Sequence, residues 1–295
     1  MLKLTGIFPP IATPFTADGE IYAAKLKYNV EKLNGVNLSG YVVCGSTGES
    51  VMLTPDEKRG LFAAVAQHAK PGKQLLCGTG VESVRETVAL TNAAAEMGYV
   101  AAMVRTPHYY KNLLDNVDAQ VTYFRAVADQ TRIPVMIYNW PQATGVDIAV
   151  EAVVRLSEHP NVIAIKESSG NLDKLKTLIA SVKPGFQVLS GNAPTLFTAL
   201  RAGATGGVLA FANAAPYACV TIWEAFRMRE EAAGLDWQQR ITTPATLVTV
   251  KYGIPGLKYA MDLNGYYGGA PRLPLIPVNP VVRREIETAF DGIRG

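Results

Sequence analysis

The chain has 295 residues, 48% of them hydrophobic, and a mean hydropathy of +0.11, enough apolar material for one large core or a large domain with an appendage. Its 28 basic and 25 acidic residues leave a net charge of +3 and are scattered without a basic stripe, so nucleic acid is not implied as a partner. Cys44, Cys77 and Cys219 lie in or beside apolar runs, as buried reduced thiols do. The start of the chain carries no signal-peptide h-region, and no apolar stretch reaches the roughly 18 to 20 residues that span a bilayer, so a cytoplasmic protein with no membrane role is expected.

Eight short apolar runs, at residues 6–12, 40–44, 75–78, 101–104, 135–138, 162–166, 187–190 and 207–210, read as strands. Amphipathic segments of helical length lie between them, at 23–33, 56–69, 84–97, 117–130, 150–158, 172–182 and 194–202. Regular alternation of strand and helix predicts a parallel sheet with helical crossovers. Eight repeats favour closure into a (β/α)8 TIM barrel, an α/β fold, over an open doubly wound sheet. Residues 1–215 would form the barrel and carry the active site. Residues 216–295, punctuated by Pro255, Gly256, Gly265, Gly268, Gly269 and Pro271, would supply the last barrel helix and a helical C-terminal region.

In such a barrel the chemistry gathers at the C-terminal ends of the strands. Lys166 ends an apolar, β-branched run, where it either snorkels to solvent or is buried as an amine of lowered pKa able to attack a carbonyl. Tyr138 ends the fifth run as a satisfied core tyrosine or as a proton carrier near that lysine. Gly45-Ser46-Thr47-Gly48 is either an ordinary turn or a nest of backbone N–H groups for a carboxylate. His68, His108 and His159 are too far apart to suggest a metal site, and His68 and His159 read as helix-surface residues. No Gly-x-Ser-x-Gly elbow is present, which leaves the lysine as the candidate reactive group.

Several motifs occur in order on the expected strands: Thr13-Pro14-Phe15, Gly45-Ser46-Thr47-Gly48-Glu49, Thr106-Pro107 followed by Tyr109, Tyr138 with Pro141 and Gly145, and Ile165-Lys166-Glu167. In these the chain resembles, over nearly its whole length, the dihydrodipicolinate synthase and N-acetylneuraminate lyase family of pyruvate-dependent class I aldolases. The resemblance implies that Lys166 forms an imine with the keto carbon of pyruvate and that Tyr138 moves protons, with Thr47 and a neighbouring subunit's Tyr109 completing a hydroxyl relay. It implies substrate contacts from Ser46, Thr47, Gly48, Ser168, Gly191 and Leu209, with Ser46 and Thr47 holding the pyruvate carboxylate. It implies no cofactor and no metal, because the iminium nitrogen itself accepts the electron pair. It also implies a homotetramer made of two tight dimers, since a relay completed by Tyr109 of a neighbour requires at least a dimer.

Within the family, synthases carry an arginine just past the strand-five tyrosine to bind the carboxylate of aspartate semialdehyde, where this chain has Ala143. Sialate lyases place acidic residues after the strand-seven glycine, where this chain has Asn192-Ala193-Pro194. The strongest local similarity is to 4-hydroxy-2-oxoglutarate aldolase, through residues 147–161 and 253–269 and through Ser168, although Thr47 stands where that aldolase has asparagine. The expected reaction is therefore cleavage or formation of a 2-keto-4-hydroxy acid, with 4-hydroxy-2-oxoglutarate giving pyruvate and glyoxylate. The alternatives are condensation of pyruvate with aspartate semialdehyde and a non-catalytic keto-acid-binding paralogue.

Overall fold

The structure is a computed structural model and describes residues 2–293. Each apolar run forms a strand: β1 Gly6–Phe8, β2 Gly40–Val43, β3 Gln74–Gly78, β4 Ala101–Arg105, β5 Val135–Asn139, β6 Val162–Glu167, β7 Gln187–Ser190 and β8 Gly206–Val208. All pair in parallel, in the order β1-β8-β7-β6-β5-β4-β3-β2. Bonds between the segment just after β1 and β2 bring the circuit to closure: Val42 N–H donates to Pro9 O at 3.0 Å, and Ile11 N–H donates to Val42 O at 2.8 Å. The result is the (β/α)8 barrel expected from the alternation, with helices at its C-terminal end. β1 is shorter than its apolar run because Pro9 and Pro10 bring no N–H to the ladder.

The two-residue period of the strands sorts their side chains into two cores. Phe8, Val42, Leu76, Met103, Met136, Tyr138, Ala164, Leu189 and Val208 fill the barrel lumen. Residues such as Val43, Cys77, Val104, Ile137, Ile165 and Val188 point outward and pack on the helices. Helices Ala23–Asn34, Pro55–His68, Val84–Glu96, Val117–Ala128, Val150–Ser157 and Leu172–Ser181 lie where their periodicity placed them. The helix expected from residue 194 starts at Leu196, after a 3-10 turn over Ala193–Thr195 that contains Pro194. Two four-residue helices in strand-end loops, Lys111–Leu114 and Pro141–Thr144, are too short to carry a periodic signal.

After β8 come helices Pro216–Met228, Glu231–Thr246, Gly253–Leu263 and Pro280–Ala289, with a π-helical turn over Leu247–Lys251. His68 does end a helix, but His159 lies in the turn after Val150–Ser157, its side chain 14% exposed and Nε2 2.9 Å from Asp129, because the helix stops two residues before it. Among the described residues no helix is long and apolar enough to cross a membrane.

Candidate active site

Lys166 follows the lumen-facing Ala164 by two residues, so the strand period turns its side chain into the barrel near the end of β6. The residue is 5% exposed and makes no ion pair or hydrogen bond through Nζ among the described residues. Its neighbour Glu167 does not compensate it. That carboxylate accepts from Asn139 Nδ2 at 2.9 Å and from Ser169 N–H at 2.6 Å. Burial alone therefore acts on the amine and lowers its pKa from 10.5 to about 7, so that a large fraction is neutral and nucleophilic near neutral pH. Of the two readings open from the sequence, the lysine is the buried one.

β5 places Tyr138 directly opposite Lys166 in the register, with Nζ 4.0 Å from the centre of the phenol ring. Two residues on, Trp140 stacks on Tyr138 with ring centres 6.3 Å apart and planes at 17°. Asn139, between them, ties the strand ends together: its Nδ2 donates to both Glu167 and Asp147 at 2.9 Å, and its carbonyl accepts Ser168 N–H at 2.9 Å. Burial pushes the Tyr138 hydroxyl pKa up, which keeps it protonated, while a hydrogen bond from Ser46 opposes that rise. Ser46 Oγ donates to Tyr138 Oη at 3.4 Å. The hydroxyl that meets Tyr138 is thus that of Ser46. Thr47, 6% exposed, makes no side-chain hydrogen bond among the described residues.

The Gly45-to-Glu49 segment winds into a 3-10 turn over Ser46–Gly48 and ends with Glu49 in the left-handed region at φ 57°. Its anchors reach far along the chain. Gly48 O accepts from Thr13 Oγ1 at 2.7 Å, and Glu49 lies 2.6 Å from Lys258 Nζ, both side chains 1% exposed. Lys258 Nζ also donates to Thr13 O at 2.8 Å and Ala270 O at 3.0 Å, and Arg272 N–H donates to Glu49 at 2.8 Å. Desolvation lowers the Lys258 pKa, against the opposing pull of Glu49. A buried ion pair thus fastens the C-terminal helices to the turn that positions Ser46.

Ser168 stands two residues beyond Lys166, 7% exposed, and its buried Oγ has no hydrogen-bond partner. Such an orphan hydroxyl is suited to a ligand. A Cβ on Gly191 would lie 1.8 Å from that Oγ, so only glycine leaves the hydroxyl its place. Leu209, by contrast, is fully buried in the layer between sheet and helices. Tyr109 is 77% exposed and stacks edge-on against Tyr110 with ring centres 5.1 Å apart, and its hydroxyl has no partner among the described residues. Its loop is held by Glu82, which accepts from the N–H groups of His108 and Tyr109, each at 3.1 Å. Burial raises the Glu82 carboxyl, but those bonds together with the nearby charges of His108 and Arg105 outweigh it and hold the group below its usual range.

Beside Tyr138 and Ser46 opens a cavity of about 290 Å³. Val51, Trp140, Ala143, Ile254 and Leu275 make its wall largely apolar, and Arg105 and His108 add polar groups. Trp140, Arg105 and the Glu49–Lys258 pair were not singled out from the sequence as site residues. The period-two alternation from Met103 and Tyr138 was a signal for the first two, whereas the pairing of Glu49 with Lys258 had no local one. Lys166, Tyr138, Ser46, Thr47, Gly48, Ser168 and Gly191 all lie at the end of the barrel where the strands finish.

A desolvated lysine against a protonated tyrosine at this end of a (β/α)8 barrel defines an enzyme of the Schiff-base lyase class. Residues 3–291 match the dihydrodipicolinate synthetase family, and the chain belongs to that family. It is 31% identical over 287 residues to a 4-hydroxy-tetrahydrodipicolinate synthase of Exiguobacterium sp., covering 97% of each chain. It is 33% identical over 293 residues to a probable mitochondrial 4-hydroxy-2-oxoglutarate aldolase of Emericella nidulans, covering 97% of this chain and 93% of the relative. The crystal structure of a dihydrodipicolinate synthase from Bacillus anthracis superposes with a TM-score of 0.93 at 30% identity, covering 99% of each chain. A prophage protein of the same family from E. coli K12, solved in complex with pyruvate, gives 0.91 at 29% identity, covering 98% of each chain. The chain is accordingly a pyruvate-dependent class I aldolase of this family and not a non-catalytic paralogue.

Proposed function

We propose that the enzyme cleaves 4-hydroxy-2-oxoglutarate to pyruvate and glyoxylate, or a close 2-keto-4-hydroxy acid to pyruvate and the corresponding aldehyde, and runs the reverse addition. The observation that carries the chemistry is the unpaired amine of Lys166 against the Tyr138 ring. Neutral Lys166 adds to the C2 carbonyl, and loss of water leaves an iminium. The C3–C4 bond then breaks, its electron pair moving into the C2–C3 bond to form an enamine while the C4 hydroxyl loses its proton and becomes the aldehyde. Protonation at C3 and hydrolysis release pyruvate and restore the amine.

Tyr138 carries the protons, with the Ser46 hydroxyl beside it. Thr47 and a neighbouring subunit's Tyr109 complete the relay in this reading, supported by the exposure of Tyr109 on its own chain. Ser46, Thr47 and Gly48 hold the pyruvate carboxylate, and the orphan Ser168 hydroxyl, seated by Gly191, meets the substrate chain. Leu209 supports the lumen from behind. The assembly proposed is a homotetramer of two dimers.

Ala143 on the cavity wall supports the small aldehyde, because it stands in place of the arginine that synthases carry just past the strand-five tyrosine for the carboxylate of aspartate semialdehyde. The relatives named as synthases, such as that of Exiguobacterium sp., favour condensation with aspartate semialdehyde as the second reading. Pyruvate release from 4-hydroxy-2-oxoglutarate, with Lys166→Ala as control, separates the two. Turnover that vanishes in the variant supports the aldolase. No turnover in a protein that still traps pyruvate keeps the imine chemistry, rejects this substrate, and brings aspartate semialdehyde and sugar-acid aldols forward.

A further inference from the structure

Arg105 closes β4 two residues beyond the lumen-facing Met103, and the register sets it opposite Tyr138, which is itself opposite Lys166. The three residues form one row across neighbouring strands, with the phenol in the centre. Arg105 lines the 290 Å³ cavity together with Tyr138 and Ser46, and its side chain is only 14% exposed.

Its neighbours take up one edge of the guanidinium. Nη1 donates to Thr106 O at 3.0 Å, lies 2.7 Å from His108 Nδ1 and lies 3.4 Å from Glu82 Oε1. Nε and Nη2 have no partner among the described residues. A mainly buried guanidinium with two uncommitted donor nitrogens, on the wall of a cavity otherwise largely apolar, matches the planar, two-oxygen geometry of a carboxylate. Adjacent strands lie about 4.8 Å apart, so Arg105 and Lys166 stand about 10 Å apart at the backbone, a span on the scale of a short diacid, with Tyr138 between them and the cavity opening beside Tyr138 and Arg105.

We propose that Arg105 anchors the distal carboxylate of the substrate, which makes the enzyme selective for dicarboxylic 2-keto-4-hydroxy acids and hence for an aldehyde that bears a carboxylate. This rests on the lysine-imine reading of the site and adds to it the class of the second substrate. The cation that Ala143, in the short helix after β5, does not supply is supplied from β4. Glu82 and His108 hold the guanidinium by its Nη1 edge and leave the other edge for the ligand.

The test compares cleavage of 4-hydroxy-2-oxoglutarate with that of 4-hydroxy-2-oxopentanoate, in which a methyl group replaces the distal carboxylate, in wild type, Arg105→Met and Arg105→Lys. The wild type is expected to favour the diacid in kcat/KM by about 100-fold, the value of a charge-assisted pair, and Arg105→Met to lose that preference, read as the ratio of kcat/KM on the two substrates in each protein. Arg105→Lys should retain part of it. Equal losses on both substrates would assign Arg105 to structure and overturn the proposal, as would a wild type indifferent to the distal group. Borohydride trapping of pyruvate, read on the same variants, keeps the outcomes apart: trapping absent from the wild type defeats the imine reading itself, whereas trapping intact with no carboxylate preference defeats only the role of Arg105.

Discussion

Replacing Lys166 with methionine should make the protein more stable, by an amount that depends on pH. Unfolded, the amine titrates near 10.5; folded, burial holds it near 7. Between those values the unfolded chain binds a proton that the folded chain lacks, so this lysine contributes a stability that rises with pH across the window from about 7 to about 10.5. At pH 7 the linkage amounts to a destabilisation of about 4 kcal/mol, and at about pH 9.5 it falls to about 1.5 kcal/mol. Methionine is close to lysine in length and carries no charge, so Lys166→Met removes the penalty with little change in packing. Urea denaturation of both proteins at the two pH values, at fixed protomer concentration, measures it. The advantage of the variant should shrink by about 2 to 3 kcal/mol from the lower to the higher pH, other titrations cancelling in the difference. An advantage that is absent, or the same at both pH values, would refute the claim that Lys166 is an uncompensated buried amine.

Three further outcomes follow from the geometry. Tyr138→Phe keeps the ring against Lys166 and Trp140 but removes the hydroxyl, and should lower kcat by about 100- to 1000-fold in steady-state cleavage while the fold, read by circular dichroism, is unchanged. Lys258→Met leaves Glu49 buried without its partner and should cost about 3 to 5 kcal/mol in denaturation, part of it recovered when Glu49→Gln is added. If a neighbour's Tyr109 completes the site, dilution to monomer, followed by sedimentation and activity together, should abolish turnover; an active monomer would remove Tyr109 from the relay.

The barrel was legible because its strands are buried on both faces and so appear as continuous apolar runs, separated by helices with their own period. Lys166 and Tyr138 were legible for the same reason, since a charge and a hydroxyl that end such runs contradict their surroundings. The choice between Ser46 and Thr47 as the hydroxyl facing Tyr138 was not legible. They are adjacent, and the dihedral angles of the 3-10 turn decide which one turns toward the phenol. Arg105 was less legible, because the apolar run ends at Val104, one residue before the strand's own end, and the register is what places it in the lumen row. The Glu49–Lys258 pair joins segments far apart in the chain, a tertiary contact that leaves no local pattern.

The nucleophile of the proposed reaction is the Lys166 amine, and every step depends on that role. It is tested most directly by borohydride reduction of the enzyme in saturating pyruvate, followed by peptide mass mapping. A reduced pyruvate adduct is expected on Lys166, formed faster as pH rises through about 7 and lost in Lys166→Ala. An adduct on another lysine, or none at saturation, would contradict it.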